Sequence, residues 1–311
     1  MRLLMLAGML ILAQQQPVVL SDHLIIKHHE TTLSTVNRDD FTTLFSPLID
    51  QEKVNQLMNR LNQEVSQPPI NAKINDHGTI DSEQTGFKLY RSKFKDRFYR
   101  YYYGHGSAQI EVPLLTVYPK VDGELLAHIR TEQIGHYTTF FNSGNKSRAH
   151  NIELAAQALD GHVVFPNETF SFNQTVGMRT KKKGYLPARV IVRGEYSEGV
   201  GGGICQVSST LFNAVDRAGL KIIERYAHSR RVAYVPLGRD ATVSWYGPDF
   251  RFRNNYNQPI LIRAHKHGGS ISFAIYSSDV INVLPRKIPN ASSQLPKETK
   301  HTRKAQHLDM H

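Results

Sequence analysis

Apolar residues recur along the chain at two spacings, and the change from one to the other marks its organisation. Val54, Leu57, Met58, Leu61 and Val65 follow steps of three and four, which predicts a helix over 50–65 that Ser66-Gln67-Pro68-Pro69 stops. Short alternating runs follow at 71–74 and 86–90, separated by a turn at Asp76-His77-Gly78. Residues 91–103 read as an exposed, basic helix anchored by its tyrosines. Strands at 110–117 and near 124–129 complete an α+β unit.

A second unit begins near Thr131. Ile152, Ala155, Ala156 and Leu159 share one helical face over 149–159, with Gly161 placed to end the helix. Short strands are expected at 170–172, 188–193, 221–226, 232–235, 241–245 and 250–253. A closing hairpin is expected from 259–264 and 270–276. Between them, Val207, Leu211, Ala214, Val215 and Ala218 fall at helical spacing behind a run of glycines, and Gly219 ends the run. The pattern predicts an α+β protein of two domains. The C-terminal one is the richer in strands and carries a helix that starts at the glycine-rich motif. The boundaries read as 1–20, an apolar leader; 21–46, an irregular linker; 47–130 and 131–284, the two domains; and 285–311, a disordered basic tail.

Charge and the leader narrow the setting. The net charge of +11 suits an anionic partner, either nucleic acid or a phosphate- and carboxylate-rich envelope. No recognition helix, zinc finger or single-strand platform is present, so no specific nucleic acid is expected. Arg2 precedes an apolar run from Leu3 to Ala13, and the chain turns polar at Gln14. Eleven residues suit the core of a signal peptide and fall short of a bilayer span. An extracytoplasmic location is the expectation, with attachment to the membrane through an uncleaved N-terminus as the variant.

Exported proteins pair their cysteines, and Cys205 has no partner within the chain. It falls in the first turn of the predicted helix, out of phase with the apolar stripe, where free amides and the helix dipole favour a thiolate. Gly199, Gly201, Gly202 and Gly203 before it permit unusual backbone angles and close approach of a substrate. Amides at such a helix start can also form an oxyanion hole. A nucleophilic thiol needs a base. His228 lies at a turn between predicted strands, and Asp240, at another strand entry, is placed to orient the imidazole.

Other chemistries fail on their spacing. The glycine loop runs into Ile204-Cys205 where a phosphate loop needs Gly-Lys-[Ser/Thr]. Ser143 and Lys146 mimic the Ser-x-x-Lys of penicillin-binding proteins and Ser171-Phe172-Asn173 their second motif, but the two lie too close together for that large fold and no Lys-Thr-Gly appears. His28-His29 and His265-Lys266-His267 have no zincin spacing, so neither a metal nor another cofactor is expected.

The residues that carry a resemblance are Asn151–Ala155, Phe165–Asn173, Gly184-Tyr185, Gly201–Leu211, Ala218–Leu220, Glu224-Arg225, His228-Ser229, Tyr234–Pro236, Gly238, Asp240–Val243 and Asn254-Asn255. Over about 133–264 they resemble a VanW domain, a family named for an accessory protein of vancomycin-resistance clusters. Asn167 departs from it, since the family usually has glycine there. Residues 47–130 faintly resemble a peptidoglycan-binding module found before such domains. The resemblance implies a cell-wall protein that handles peptidoglycan stem peptides as an L,D-transpeptidase, with Cys205 at the position of the family's cysteine. It also implies substrate or oxyanion contacts from Gly201, Gly202, Gly203, Gln206, Ser208 and Arg225. The Ser-His-Gly-Cys of the more familiar L,D-transpeptidases is missing. A non-catalytic wall-binding accessory protein is the competing class.

Overall fold

The computed structural model of the chain describes residues 22–43, 46–192 and 195–294. The leader at 1–20 and the last part of the tail lie outside them. The described residues form two compact units, one of residues 22–70 and 84–120, the other of 71–83 and 121–294.

In the first unit, Leu24 and Ile26 point to one side of strand His23–His28, which pairs antiparallel with Thr31–Asn37 and parallel with Ala108–Glu111. Much of 21–46, read as a linker, is therefore sheet. Leu24 and Ile26, two residues apart, are fully buried, and Val36 and Phe41 join them in the core. Helix α1 (Gln51–Val65) starts where the Asp50 carboxylate accepts from the amides of Glu52 and Lys53. Helix α2 (Arg91–Tyr103) buries the expected anchors Tyr101 and Tyr102 in the same core, together with Phe94 and Phe98, which the reading as an exposed helix did not include.

The second unit is built on a four-stranded antiparallel sheet in the order Glu132–Phe140, Ser270–Ser277, Ile260–His267, Val163–Val164. The expected hairpin is thus central to the sheet. Alternation along its strands covers both faces. Ile260, Ile262, Phe273 and Ile275 face the main core, whereas Leu261, Val163 and Tyr276 face a smaller cluster. Ala72 and Val121 fill that cluster, together with Leu126 and Ile129 from helix α3 (Gly123–Ile129). Residues 71–83 and 121–130 therefore belong to this unit and not to the first domain as read from sequence. The expected strand near 124–129 is α3; Asp122 caps it by accepting from the Leu125 amide.

Helices α4 (Lys146–Leu159) and α6 (Ile204–Arg217) pack on the inner face of this sheet, and α5 (Phe172–Val176) follows a second, three-stranded sheet's edge strand, Thr169–Ser171. That sheet continues with Arg251–Arg253 and Lys221–Glu224. A hairpin of Pro187–Val192 and Glu195–Val200 leads into the glycine loop. The strands expected at 232–235 and 241–245 are absent. Only an isolated bridge joins Tyr226 and Thr242, and side chains hold these loops instead.

The tail corrects another expectation. Ile288 and Ala291 pack against the main core, the Tyr137 hydroxyl donates to the Pro289 carbonyl at 3.0 Å, and Arg217 donates to the Ile288 carbonyl and Asn290. Residues 285–294 are thereby part of the domain. Among the described residues no helix is long and apolar enough to cross a membrane.

Candidate functional site

Helix α6 is buried on every side. Of its fourteen residues, all but Cys205 and Arg217 are buried. A helix so enclosed must satisfy its own polar side chains. Gln206 donates to Thr139 Oγ1 and to the Phe140 carbonyl, both at 3.0 Å, and Thr210 pairs with Thr139 at 2.7 Å. On another face, Ser209 and Asn213 grip the loop that carries Asp240. The Ala241 amide donates to Ser209 Oγ at 2.8 Å, and Asn213 Nδ2 donates to the Arg239 carbonyl at 2.8 Å. Arg239 returns a bond to Asn213 Oδ1 and another to Asp216. A polar ridge one turn apart thus clamps residues 239–241 beside the helix start.

The glycines bring Cys205 to its place. Gly201 and Gly203 have φ of +89° and +111°, angles that L side chains resist. Gly202 is kept small by packing, since a Cβ there would lie 2.5 Å from the Arg189 carbonyl oxygen. The buried Asn151 side chain ties the loop down, donating to the carbonyls of Leu186 and Gly202.

Cys205, His228 and Asp240 come together, as the sequence led us to expect. Asp240 Oδ2 accepts from both the main-chain N–H and Nδ1 of His228, each at 2.6 Å. The imidazole, its Nδ1 thus occupied, stands beside the Cys205 thiol in the cavity wall and acts on it electrostatically. Sγ also lies 3.6 Å from Thr242 Oγ1 and 3.6 Å from the Val243 carbonyl oxygen. The histidine side chain is only 6% exposed and the aspartate 10%, so their attraction is little screened by solvent.

These neighbours set the titration of each group. Burial alone would raise the Cys205 thiol, but the bond and charge of His228 outweigh it and hold the thiol below its ordinary range. Burial likewise opposes protonation of His228, yet Cys205 and then Asp240 hold it above the usual imidazole value. Asp240, against its own burial, is held low by the main-chain and ring bonds of His228. The arrangement stabilises thiolate and imidazolium together. Tyr234, which also lines the site, is pushed up by burial and by the charge of Cys205, so its hydroxyl stays a neutral donor.

The site opens into a cavity of about 700 Å³. Gly201, Gly203 and Gln206 line it beside Cys205, as expected, but three other expected contacts do not. Gly202 packs under Ala188 and Arg189. Ser208 is fully buried, on the helix side away from the cavity wall. Arg225 donates to the carbonyls of Gly238 and Asp240 and so braces the aspartate's loop. Gln206 spends its acceptor on Arg148 Nη2 at 2.7 Å. Sequence reasoning missed Arg148, Arg179, Arg189, Tyr234, Thr242 and Trp245, which line the cavity from distant segments. Tyr234 and Thr242 had one sequence signal, their place within the matched stretches 234–236 and 240–243, and Arg179 had its nearness to 165–173.

A buried carboxylate orienting an imidazole that pairs with a thiol at a helix N-terminus defines a cysteine–histidine–aspartate site on an α+β domain. Residues 147–276, which contain all three groups, match the family described as VanW like protein. YoaR of Bacillus subtilis (strain 168), described as an uncharacterized protein, is 60% identical over 297 residues, covering 95% of this chain and 97% of that one. The chain therefore belongs to the VanW family. Vancomycin B-type resistance protein VanW of Enterococcus faecalis (strain ATCC 700802 / V583) is 33% identical over 125 residues, 39% of this chain and 46% of that protein. The matched family region does not reach residues 47–130. No solved structure matches significantly.

Proposed function

We propose that the protein works at the cell wall as a cysteine acyltransferase of the L,D-transpeptidase kind, acting on peptidoglycan stem peptides outside the cytoplasm. The observation that carries this reading is the Asp240–His228 hydrogen bond set beside the electrostatically coupled Cys205 thiol at the edge of a cavity large enough for a peptide. Kinship with a protein named for vancomycin resistance supports the cell-wall setting, and the basic charge suits an anionic envelope.

In the proposed reaction the Cys205 thiolate attacks the carbonyl carbon of the stem's third residue. A C–S bond forms, and the developing oxyanion meets the Cys205 amide in the first turn of α6, where amides have no intrahelical partner. The C–N bond to the terminal D-alanine then breaks as His228 gives its proton to the departing amine. An amine of a neighbouring stem next attacks the thioester and passes a proton to His228. A new amide forms, the C–S bond breaks and the thiolate returns; water in place of the amine gives hydrolysis.

The test incubates purified protein with disaccharide-tetrapeptide muropeptides beside a Cys205→Ala variant. Cross-linked dimers and free D-alanine from the parent alone support the proposal. Binding by both proteins with turnover by neither favours the accessory binding module.

A further inference from the structure

The cavity beside Cys205 carries one charge sign. Arg148, Arg179 and Arg189 line it, and no Asp or Glu does among the described residues. Arg179 is the most specific of the three. Its Nη2 donates to Asn173 Oδ1 at 2.8 Å, and its guanidinium carbon lies 5.7 Å from the centre of the Phe172 ring. Nη1 is shut off from solvent and has no hydrogen-bond partner among the described residues. Asp249, the nearest carboxylate to act on it, gives its bonds to Ser171, Asn173 and Phe250. A buried guanidinium nitrogen without an acceptor is costly, and on a side chain that lines a cavity a ligand can complete it.

Its place beside the nucleophile is built in. Asn173 fixes the Arg179 head while donating to the carbonyls of Ser244 and Pro248 across the cavity wall. The Arg179 stem lies across the glycine loop: a Cβ on Gly201 would come within 3.2 Å of Arg179 Cβ. Burial lowers the Arg179 guanidinium from its ordinary value while the charge of Cys205 acts to hold it protonated, and an arginine so placed keeps its positive charge at all working pH values.

We infer that Arg179 is the centre of an anion subsite that takes the C-terminal carboxylate of the acyl donor, so that the site selects a donor whose leaving group is a single free amino acid. The choice of a terminal carboxylate rests on the acyltransferase reading above. In such a donor the carboxylate sits only two bonds from the scissile nitrogen, so the group that recognises it must stand next to the nucleophile, where Arg179 stands. A guanidinium offers the planar pair of donors that a carboxylate needs.

The subsite is tested without any wall substrate by alkylating Cys205 in the full chain with iodoacetate and with iodoacetamide. These reagents share size and chemistry and differ in the carboxylate. The ratio of the two rates in the parent should exceed that of a free thiol by about tenfold, the scale of one charge-assisted contact. Arg179→Gln should bring the ratio down to the free-thiol value; any change in thiolate population from the lost cation alters both rates alike and cancels in the ratio. Arg179→Lys should keep part of the preference, and an unchanged melting temperature in both variants shows that they fold. A ratio indifferent to Arg179→Gln overturns the proposal, as does a ratio that falls only with Arg148→Gln or Arg189→Gln. The source of the carboxylate is then read from tetrapeptide donors that end in a carboxylate or a carboxamide, bound to Cys205→Ala and followed by calorimetry. A preference for the free carboxylate that Arg179→Gln abolishes supports the terminal carboxylate even if no turnover is ever seen. Equal binding of both donors overturns it.

Discussion

Asp240 holds His228 by two bonds from one oxygen, to the main-chain N–H and to ring Nδ1, each 2.6 Å long. The pair of contacts fixes both the position of the backbone and the plane of the imidazole. One ring edge is left for the thiol of Cys205. Asp240 is itself held by Arg225, which donates to its carbonyl at 2.7 Å, and its neighbour Ala241 is held by Ser209 on α6. The site is thus referenced to the same helix that carries the nucleophile.

Cys205 should behave as a low-range thiol. Its pKa is held down by His228 against burial, so the thiolate is populated below the ordinary thiol value of about 8.5. The rate of reaction with iodoacetamide, followed against pH, should show an inflection clearly below that value. In His228→Asn only the lesser contacts of Val243 and Thr242 oppose burial, and the inflection should move up. An inflection that stays in place in His228→Asn contradicts the pairing.

Asp240→Asn should cost activity far more than fold. The amide cannot hold the charged ring, and turnover should fall by about 10²–10⁴-fold with little change in KM. Stability follows a pH window. Asp240 is depressed in the fold, so its contribution exists above the unfolded carboxylate value and fades as pH falls through the folded one. His228 is raised, so its share is complete below the unfolded imidazole value and fades as pH rises through its folded one. The melting-temperature gap between parent and Asp240→Asn should therefore be widest between those limits and narrow on both sides. Equal gaps at every pH contradict this linkage.

Gly202→Ala should be disabling although the residue faces no substrate. Its Cβ would meet the Arg189 carbonyl oxygen at 2.5 Å and the Ala188 backbone at 2.7 Å, and backbone yields little. A loss of about 2–3 kcal/mol in unfolding free energy is expected from such overpacking. Gly238→Ala has open space around it and only a positive φ of +74° to oppose it, so about 1 kcal/mol is expected there. Chemical denaturation of both variants separates the two effects.

Removing residues 285–311 should destabilise the second unit by several kcal/mol more than removing 295–311. The difference is the anchor of Ile288, Ala291 and the Pro289 carbonyl on Tyr137, together with Arg286, which reaches Asp216. Melting of the two truncated chains measures it directly. Equal stabilities contradict the anchor.

The residues of the relay were legible because each left a local mark. Cys205 stood in a helix's first turn behind glycines, and His228 and Asp240 stood at turns between apolar runs. The helical spacing of Val54 to Val65 and the apolar run in 259–264 likewise announced α1 and the core strand, which extends to His267. What stayed hidden depends on contacts between distant segments. Ala72 and Val121 join Leu261 only because alternate residues of one strand face opposite sides of the sheet. Ser208 looked available, but α6 is buried on all sides and not along one stripe. The tail's composition suggested disorder, yet two apolar residues and a few carbonyl contacts hold 285–294 on the core. The loops that bear Tyr234 and Thr242 looked like strands by residue type, and polar clamps from α6 take the place of ladder bonds.

The most direct test of the account looks for the covalent intermediate. The parent protein is mixed with disaccharide-tetrapeptide in the absence of an acceptor amine, quenched in acid and weighed intact. The account predicts an added mass equal to the donor less one alanine, mapped by peptide sequencing to Cys205 and absent from Cys205→Ala. An unmodified Cys205 under conditions in which the parent releases D-alanine, or an adduct at any other residue, contradicts it.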